Sequence, residues 1–168
     1  MKTSMYQASV PVFVRMLNNL IAILEKGAAH AETHKIEPAA LLNARLYPDM
    51  FPLSRQVQIA TDAASGGMAR LAGAPVPSYE NNETSFPELI ERVRRAIVDL
   101  RKLDAAQIDG AEDKTITWKT RSSEKSMQGM PYLMNHTLPN VFFHITTAYN
   151  ILRHNGVELG KLDYLGRS

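Results

Sequence analysis

Residues 85–100 read SFPELIERVRRAIVDL, and their spacing decides the fold class. Ser85 stands where a helix cap belongs. Glu88, three residues on, is placed to return a hydrogen bond to the cap's own backbone. Phe86, Ile90, Val93, Ile97 and Leu100 then recur at the period of one helix face. Toward the N-terminus a second helix is expected over residues 52–73, with Leu53, Val57, Ala60, Ala64 and Met68 on one stripe. Gly66 and Gly67 weaken it by roughly 1 kcal/mol each relative to alanine. Pro48 and Pro52 bracket a break before it, because proline disfavours helix in the preceding residue. A short helical turn begins at Glu37-Pro38 and runs through Leu41, Leu42 and Leu46. The first helix runs over residues 9–33, with Ser9 as cap, Pro11 in the first turn and Phe13, Leu17, Leu20 and Leu24 on its apolar face.

Toward the C-terminus, residues 104–114 are polar. Residues 115–120 then alternate, with Ile116 and Trp118 on one side, and Arg121, Ser122 and Ser123 offer a turn into a small β-hairpin. The last helix is expected over residues 131–155, with Val141, Ile145, Ala148 and Leu152 inward. Pro139 kinks it and Gly156 ends it in the left-handed conformation. Leu159, Leu162, Tyr164 and Leu165 in the tail predict a segment that docks. Four amphipathic helices with a hairpin before the last describe an all-α four-helix bundle, a single domain over residues 1–168.

Composition narrows the function classes. The chain of 168 residues is 45% hydrophobic and 21% charged, the balance of a folded globular protein. With no cysteine, disulfide frameworks, thiolate catalysis and Cys-containing zinc motifs are excluded. Nineteen basic against seventeen acidic residues leave +2, which gives no ground for a nucleic-acid partner. No apolar run approaches the ~20 residues that span a bilayer, and the first residues lack the apolar core of a leader. The expectation is a cytoplasmic protein with no membrane association.

Several short patterns lose their force on inspection. His30 and His34 share a helix face, but Glu32 points roughly 200° away around the helix, unlike the glutamate of a metalloprotease helix. Cationic side chains near a helix C-terminus complement its dipole instead. The stretch from Gly156 to Lys161 is one residue short of a phosphate loop and follows a helix rather than a strand. Arg92, Arg94, Arg95, Arg101 and Lys102 share the third helix with Glu88 four before Arg92 and Glu91 four before Arg95. That order predicts a solvated face neutralised by surface pairs. No Gly-x-Ser-x-Gly elbow is present. The last helix is the informative one: His136, Asn140 and His144 follow at four-residue steps, with Thr147 on the same edge. Imidazoles and an amide beside a bundle core need hydrogen bonds, a wet cavity or a metal, and all three readings stay open.

The runs LPNVFFHITTAYNILRHNGVELGKLDYLG and ARLYPDMFPLSRQVQIATDAASG resemble the bacterial domain-of-unknown-function family nineteen ninety-three, in the DinB/YfiT-like superfamily. The resemblance covers nearly the whole chain. It implies a DinB-type four-helix bundle, a homodimer, and kinship with metal-dependent thiol transferases and hydrolases. That superfamily holds a divalent metal with one histidine near the start of the second helix and a His-x-x-x-His pair on the fourth. Setting Gly156 against the glycine that ends the superfamily's last helix puts His144 on the second histidine of the pair and Asn140 on the first, with Gln56 at the third position. One ligand of three is kept, and carboxamides are poor ligands for zinc-like ions.

Three functions follow. The first is a bundle without metal or other cofactor that binds a small polar molecule between helices, using Gln56, His136, Asn140 and His144, with Tyr47 or Tyr149 nearby and His144 as the candidate acid or base. The second keeps a divalent metal through His144, with His136 or Asp49 replacing the missing histidines. The third is a structural dimer without catalysis.

Overall fold

The computed structural model describes residues 4–120 and 122–166. Arg121 of the expected turn, and the chain ends at 1–3 and 167–168, lie outside the described residues. Eight helical segments and one hairpin follow in order: α1 (Val10–His34), α2 (Pro38–Leu42), α3 (Leu53–Ala72), α4 (Phe86–Arg101), α5 (Ala105–Ile108), β1 (Thr115–Lys119), β2 (Glu124–Gln128), α6 (Gly129–Pro131), α7 (Leu138–His154) and α8 (Lys161–Leu165), with a π-helical stretch at Tyr132–Thr137 joining α6 to α7. The long helices form a four-sided bundle in which α1 packs on α4, α4 on α3 and α3 on α7, and α7 closes against α1. Phe13, Leu17, Leu20 and Leu24 of α1, Leu53, Val57 and Met68 of α3, Leu89, Val93 and Leu100 of α4 and Val141, Ile145 and Leu152 of α7 are all fully buried. At ~1.5–3 kcal/mol for each large side chain, this core is the main source of stability.

The capping box at α4 forms as its residues dictate. Ser85 Oγ accepts from the Glu88 backbone N–H at 3.3 Å, and the Glu88 carboxylate accepts from the N–H groups of Thr84 at 2.6 Å and Ser85 at 3.1 Å. Those bonds, Thr84's foremost, hold Glu88 below the usual carboxylate range. The cap expected at Ser9 does not form: its hydroxyl donates instead to the Met5 carbonyl at 2.6 Å. Residues 5–9 make a turn that brings that carbonyl within reach, and Pro11 has removed one of the N–H groups a cap would serve. Gly156 ends α7 as expected, with φ +89° and the Val157 N–H donating back to the Leu152 carbonyl at 3.1 Å.

The expected last helix is three pieces rather than one kinked rod. Pro139 occupies the first turn of α7, where its missing donor matters least. The π-helical turn before it absorbs the crowding its ring would impose on an unbroken α-helix. The hairpin pairs antiparallel, Thr115 opposite Gln128 and Lys119 opposite Glu124. Ile116 and Trp118 point inward, while every residue of β2 is exposed. Gly129 follows directly, where a side chain would run into the Ala111 carbonyl. The tail docks in part: Val157 and Leu159 are buried and Asn19 of α1 donates to the Tyr164 carbonyl at 2.9 Å, but Leu162 and Leu165, expected to dock, are exposed. No helix among the described residues is long and apolar enough to cross a membrane.

Candidate functional site

The antiparallel packing of α3 on α7 sets Gln56, in the first turn of α3, against His144. Both side chains are buried, and the His144 Nδ1–H donates to Gln56 Oε1 at 2.6 Å. The Gln56 amide in turn donates to the Phe51 carbonyl at 2.9 Å. Burial, with a smaller push from the Arg55 charge, lowers the His144 pKa to about 4. The ring is therefore neutral at physiological pH, with its proton on Nδ1 and a lone pair on Nε2.

His136 and Asn140 lie nearer the start of α7 and line a cleft of about 200 Å³ between α3 and the π-helical turn. Trp118, from β1, covers its side. The Trp118 and His136 rings stand 4.7 Å apart, and His136 stacks on Tyr132 at 5.4 Å. Asp62 and Arg70 of α3 supply opposite charges, and Thr137 completes the lining. Desolvation first, then the Lys125 and Arg70 charges, lowers the His136 pKa. The Thr137 hydroxyl oxygen is fully enclosed and makes no hydrogen bond among the described residues. Of the four expected site residues, the fold thus pairs Gln56 with His144 and, separately, sets His136 on the π-helical turn and Asn140 on α7 along one cleft.

Asp62 is held from behind by Arg92, a residue that the sequence pattern places on the solvated face. Arg92 is fully buried, and its guanidinium donates to Thr61 Oγ1 at 2.8 Å, Glu83 Oε1 at 2.8 Å, Asp62 Oδ1 at 2.7 Å and the Glu80 carbonyl at 2.8 Å. Glu88, its expected helical partner, is committed to the cap. The reason lies in tertiary packing: Arg92 falls between Leu89 and Ala96 on the inward edge of α4, and the loop after α3 delivers Glu83 onto it. Arg94, by contrast, is exposed and makes only long pairs to Glu25 and Glu91, at 3.8 and 3.9 Å, as a solvated face predicts. Desolvation raises the Asp62 pKa against the opposing pull of Arg92.

The other candidates lie elsewhere. His30 and His34 stack on each other at 4.1 Å, and His34 Nδ1 meets the His30 carbonyl at 3.0 Å. They line a broader groove of about 660 Å³ beside Arg153 and the tail. Tyr47 and Asp49 are exposed on the loop before α3, and Tyr149 turns toward Tyr164 of α8. Asp62, Arg70, Thr137, Trp118 and Tyr132 were missed as cleft residues because three separate elements deliver them; the inward alternation of Trp118 was the one available signal.

A divalent metal does not fit the donors present. His144 spends Nδ1 on Gln56, Gln56 spends its amide on Phe51, and the remaining position holds the carboxamide of Asn140. One imidazole nitrogen with two amides is a poor set for a zinc-like ion. Among the described residues no group of three or more His, Asp or Glu side chains is arranged to hold a metal ion.

The family model Domain of unknown function (DUF1993) matches residues 5–165. A crystal structure of a DinB family member protein from Shewanella denitrificans is 43% identical, with a TM-score of 0.88 over 97% of this chain and 92% of that one. No curated protein matches the chain.

Proposed function

The chain belongs to the DUF1993 family, and from that premise we propose that it binds a small polar molecule, without a metal, in the cleft between α3 and the start of α7. The observation that carries this reading is the Arg70 side chain, which lines the cleft and has no hydrogen-bond or ion-pair partner among the described residues. An unpaired guanidinium beside a cleft favours an occupant that can accept hydrogen bonds from it. The cleft sets an aromatic wall (Trp118, Tyr132, His136) against the charged or amide groups of Asp62, Arg70 and Asn140. An apolar wall with a few convergent polar groups is the usual make-up of a small-molecule site. Gln56 and His144 support it from one helical turn further along α7, where their bond fixes the register of α3 against α7.

Trp118 is the single tryptophan of the chain and lines the cleft, so its emission reports occupancy directly. Titration with a panel of small polar acids, amines, amides and alcohols is expected to give a saturable change with at least one class. Asn140→Ala, at a half-buried position lining the cleft, is expected to leave the melting temperature nearly unchanged while weakening that response. A panel that moves neither Trp118 emission nor the melting temperature would defeat the reading.

A further inference from the structure

We infer that the occupant of this cleft is a short organic carboxylate with a hydrogen-bond donor at its other end, the class of small hydroxy and amino acids; the inference rests on the reading that the cleft binds a polar molecule. The acid group is assigned to Arg70. This guanidinium lines the cleft and has no hydrogen-bond or ion-pair partner among the described residues. It also folds back along α3: a carbon added at Gly66 would stand 3.1 Å from Arg70 Nη1. Gly66 therefore makes room for a cation lying about one turn nearer Asp62 than the Arg70 backbone does. An unpaired planar guanidinium is suited to bind a carboxylate through two parallel bonds.

Asp62 supplies the complementary end. Arg92 holds its Oδ1 at 2.7 Å, while Oδ2 has no partner among the described residues. Because Arg92 is shared with Glu83 at 2.8 Å, that buried pair fixes the carboxylate without using up its second oxygen. An acceptor so placed selects a hydroxyl or ammonium. Asp62 and Gly66 are four residues apart, about 6 Å along the helix axis, the reach of a four-carbon acid substituted at its far end.

The test is a Trp118 titration of the whole chain with γ-hydroxybutyrate, γ-aminobutyrate, butyrate and the neutral γ-hydroxybutyramide. The two substituted acids are expected to bind at least about tenfold more tightly than butyrate or the amide. Arg70→Gln should abolish the preference for the acid over its amide. Gly66→Ala displaces only the end of a flexible side chain, and should weaken acid binding about tenfold with a melting temperature unchanged or higher. Binding of the neutral amide as tightly as the acid, or an acid affinity untouched by both variants, overturns this inference and leaves the cleft reading standing. Silence from every probe here and from the wider panel overturns both.

Discussion

His144 carries a pH signature that one substitution isolates. Its folded pKa of about 4 lies below the ordinary 6.5 because burial, then the Arg55 charge, disfavours the imidazolium. Between those values the unfolded chain binds the proton and the folded one does not, so stability must rise with pH across that window. The contribution is complete above about pH 6.5 and is lost as pH falls toward about 4. Denaturant unfolding measured across that range is expected to show a loss on the order of 2 kcal/mol, largely absent in His144→Asn. His136, lowered chiefly by desolvation, adds in the same direction, so the variant flattens the acid limb without erasing it. A limb equally steep in the variant would place the proton elsewhere. Arg92 makes the opposite kind of test. Arg92→Met leaves Glu83, whose side chain is 3% exposed, buried beside no cation. It should cost about 3–5 kcal/mol in the same measurement. Exposed Arg101→Ala should change stability by no more than about 0.5 kcal/mol. The sequence could not separate these two arginines, since what distinguishes them is a glutamate nine residues away in a loop.

At the scale of elements, the seam between α3 and the π-helical turn is packed without room for one more carbon at Gly67. A carbon added at Gly67 would stand 2.5 Å from Thr137 Cγ2, and neither helix can shift without disturbing the core beside it. Gly67→Ala is therefore expected to destabilise by about 1–3 kcal/mol, although alanine favours helix and the same change at the neighbouring Gly66 should not. Adding Thr137→Ser removes the clashing methyl, so the double variant should recover most of the loss in thermal or denaturant unfolding; a purely additive pair would refute the contact. The glycines were readable as weak points of a helix but not as a seam, because periodicity sees one helix at a time. The same limit governs the rest. Apolar stripes, the Ser85–Glu88 box and the Ile116–Trp118 alternation were legible because each is a local pattern. The π-helical turn was not, since Pro139 signals a disturbance without saying how the preceding turn absorbs it. Of the candidate site, His136, Asn140 and the Gln56–His144 pair could be named from the chain, the glutamine only through family resemblance. Arg70 and Asp62 needed the assembled cleft.

For the whole molecule, the bundle separates its attachments onto different sides. The hairpin and the π-helical turn build the cleft against α3, whereas α8 lies along α1, held by Asn19 on the Tyr164 carbonyl and by Lys26 to Asp163 at 2.8 Å. α8 has no buried residue, while Val157 and Leu159 just before it are almost wholly enclosed. Two cuts should therefore differ sharply. Ending the chain after Gly160 removes an exposed ion pair, worth at most about 1 kcal/mol, and the two side-chain hydrogen bonds of Asn19 and Thr146 to Tyr164, each of similar size. The melting temperature should drop by only a few degrees, about 2–4 °C per kcal/mol for a chain of this size. Ending it after Asn155 also strips Val157 and Leu159 from the core, at ~1.5–3 kcal/mol each, and removes the glycine that closes α7, so the loss should be several times larger. In the shorter cut the cleft should keep its Trp118 response to ligand, because none of its lining residues touches the removed segment. If that response vanished while the helical circular dichroism remained, the tail and the cleft would be coupled through α7, and the independence of the two sides would be wrong.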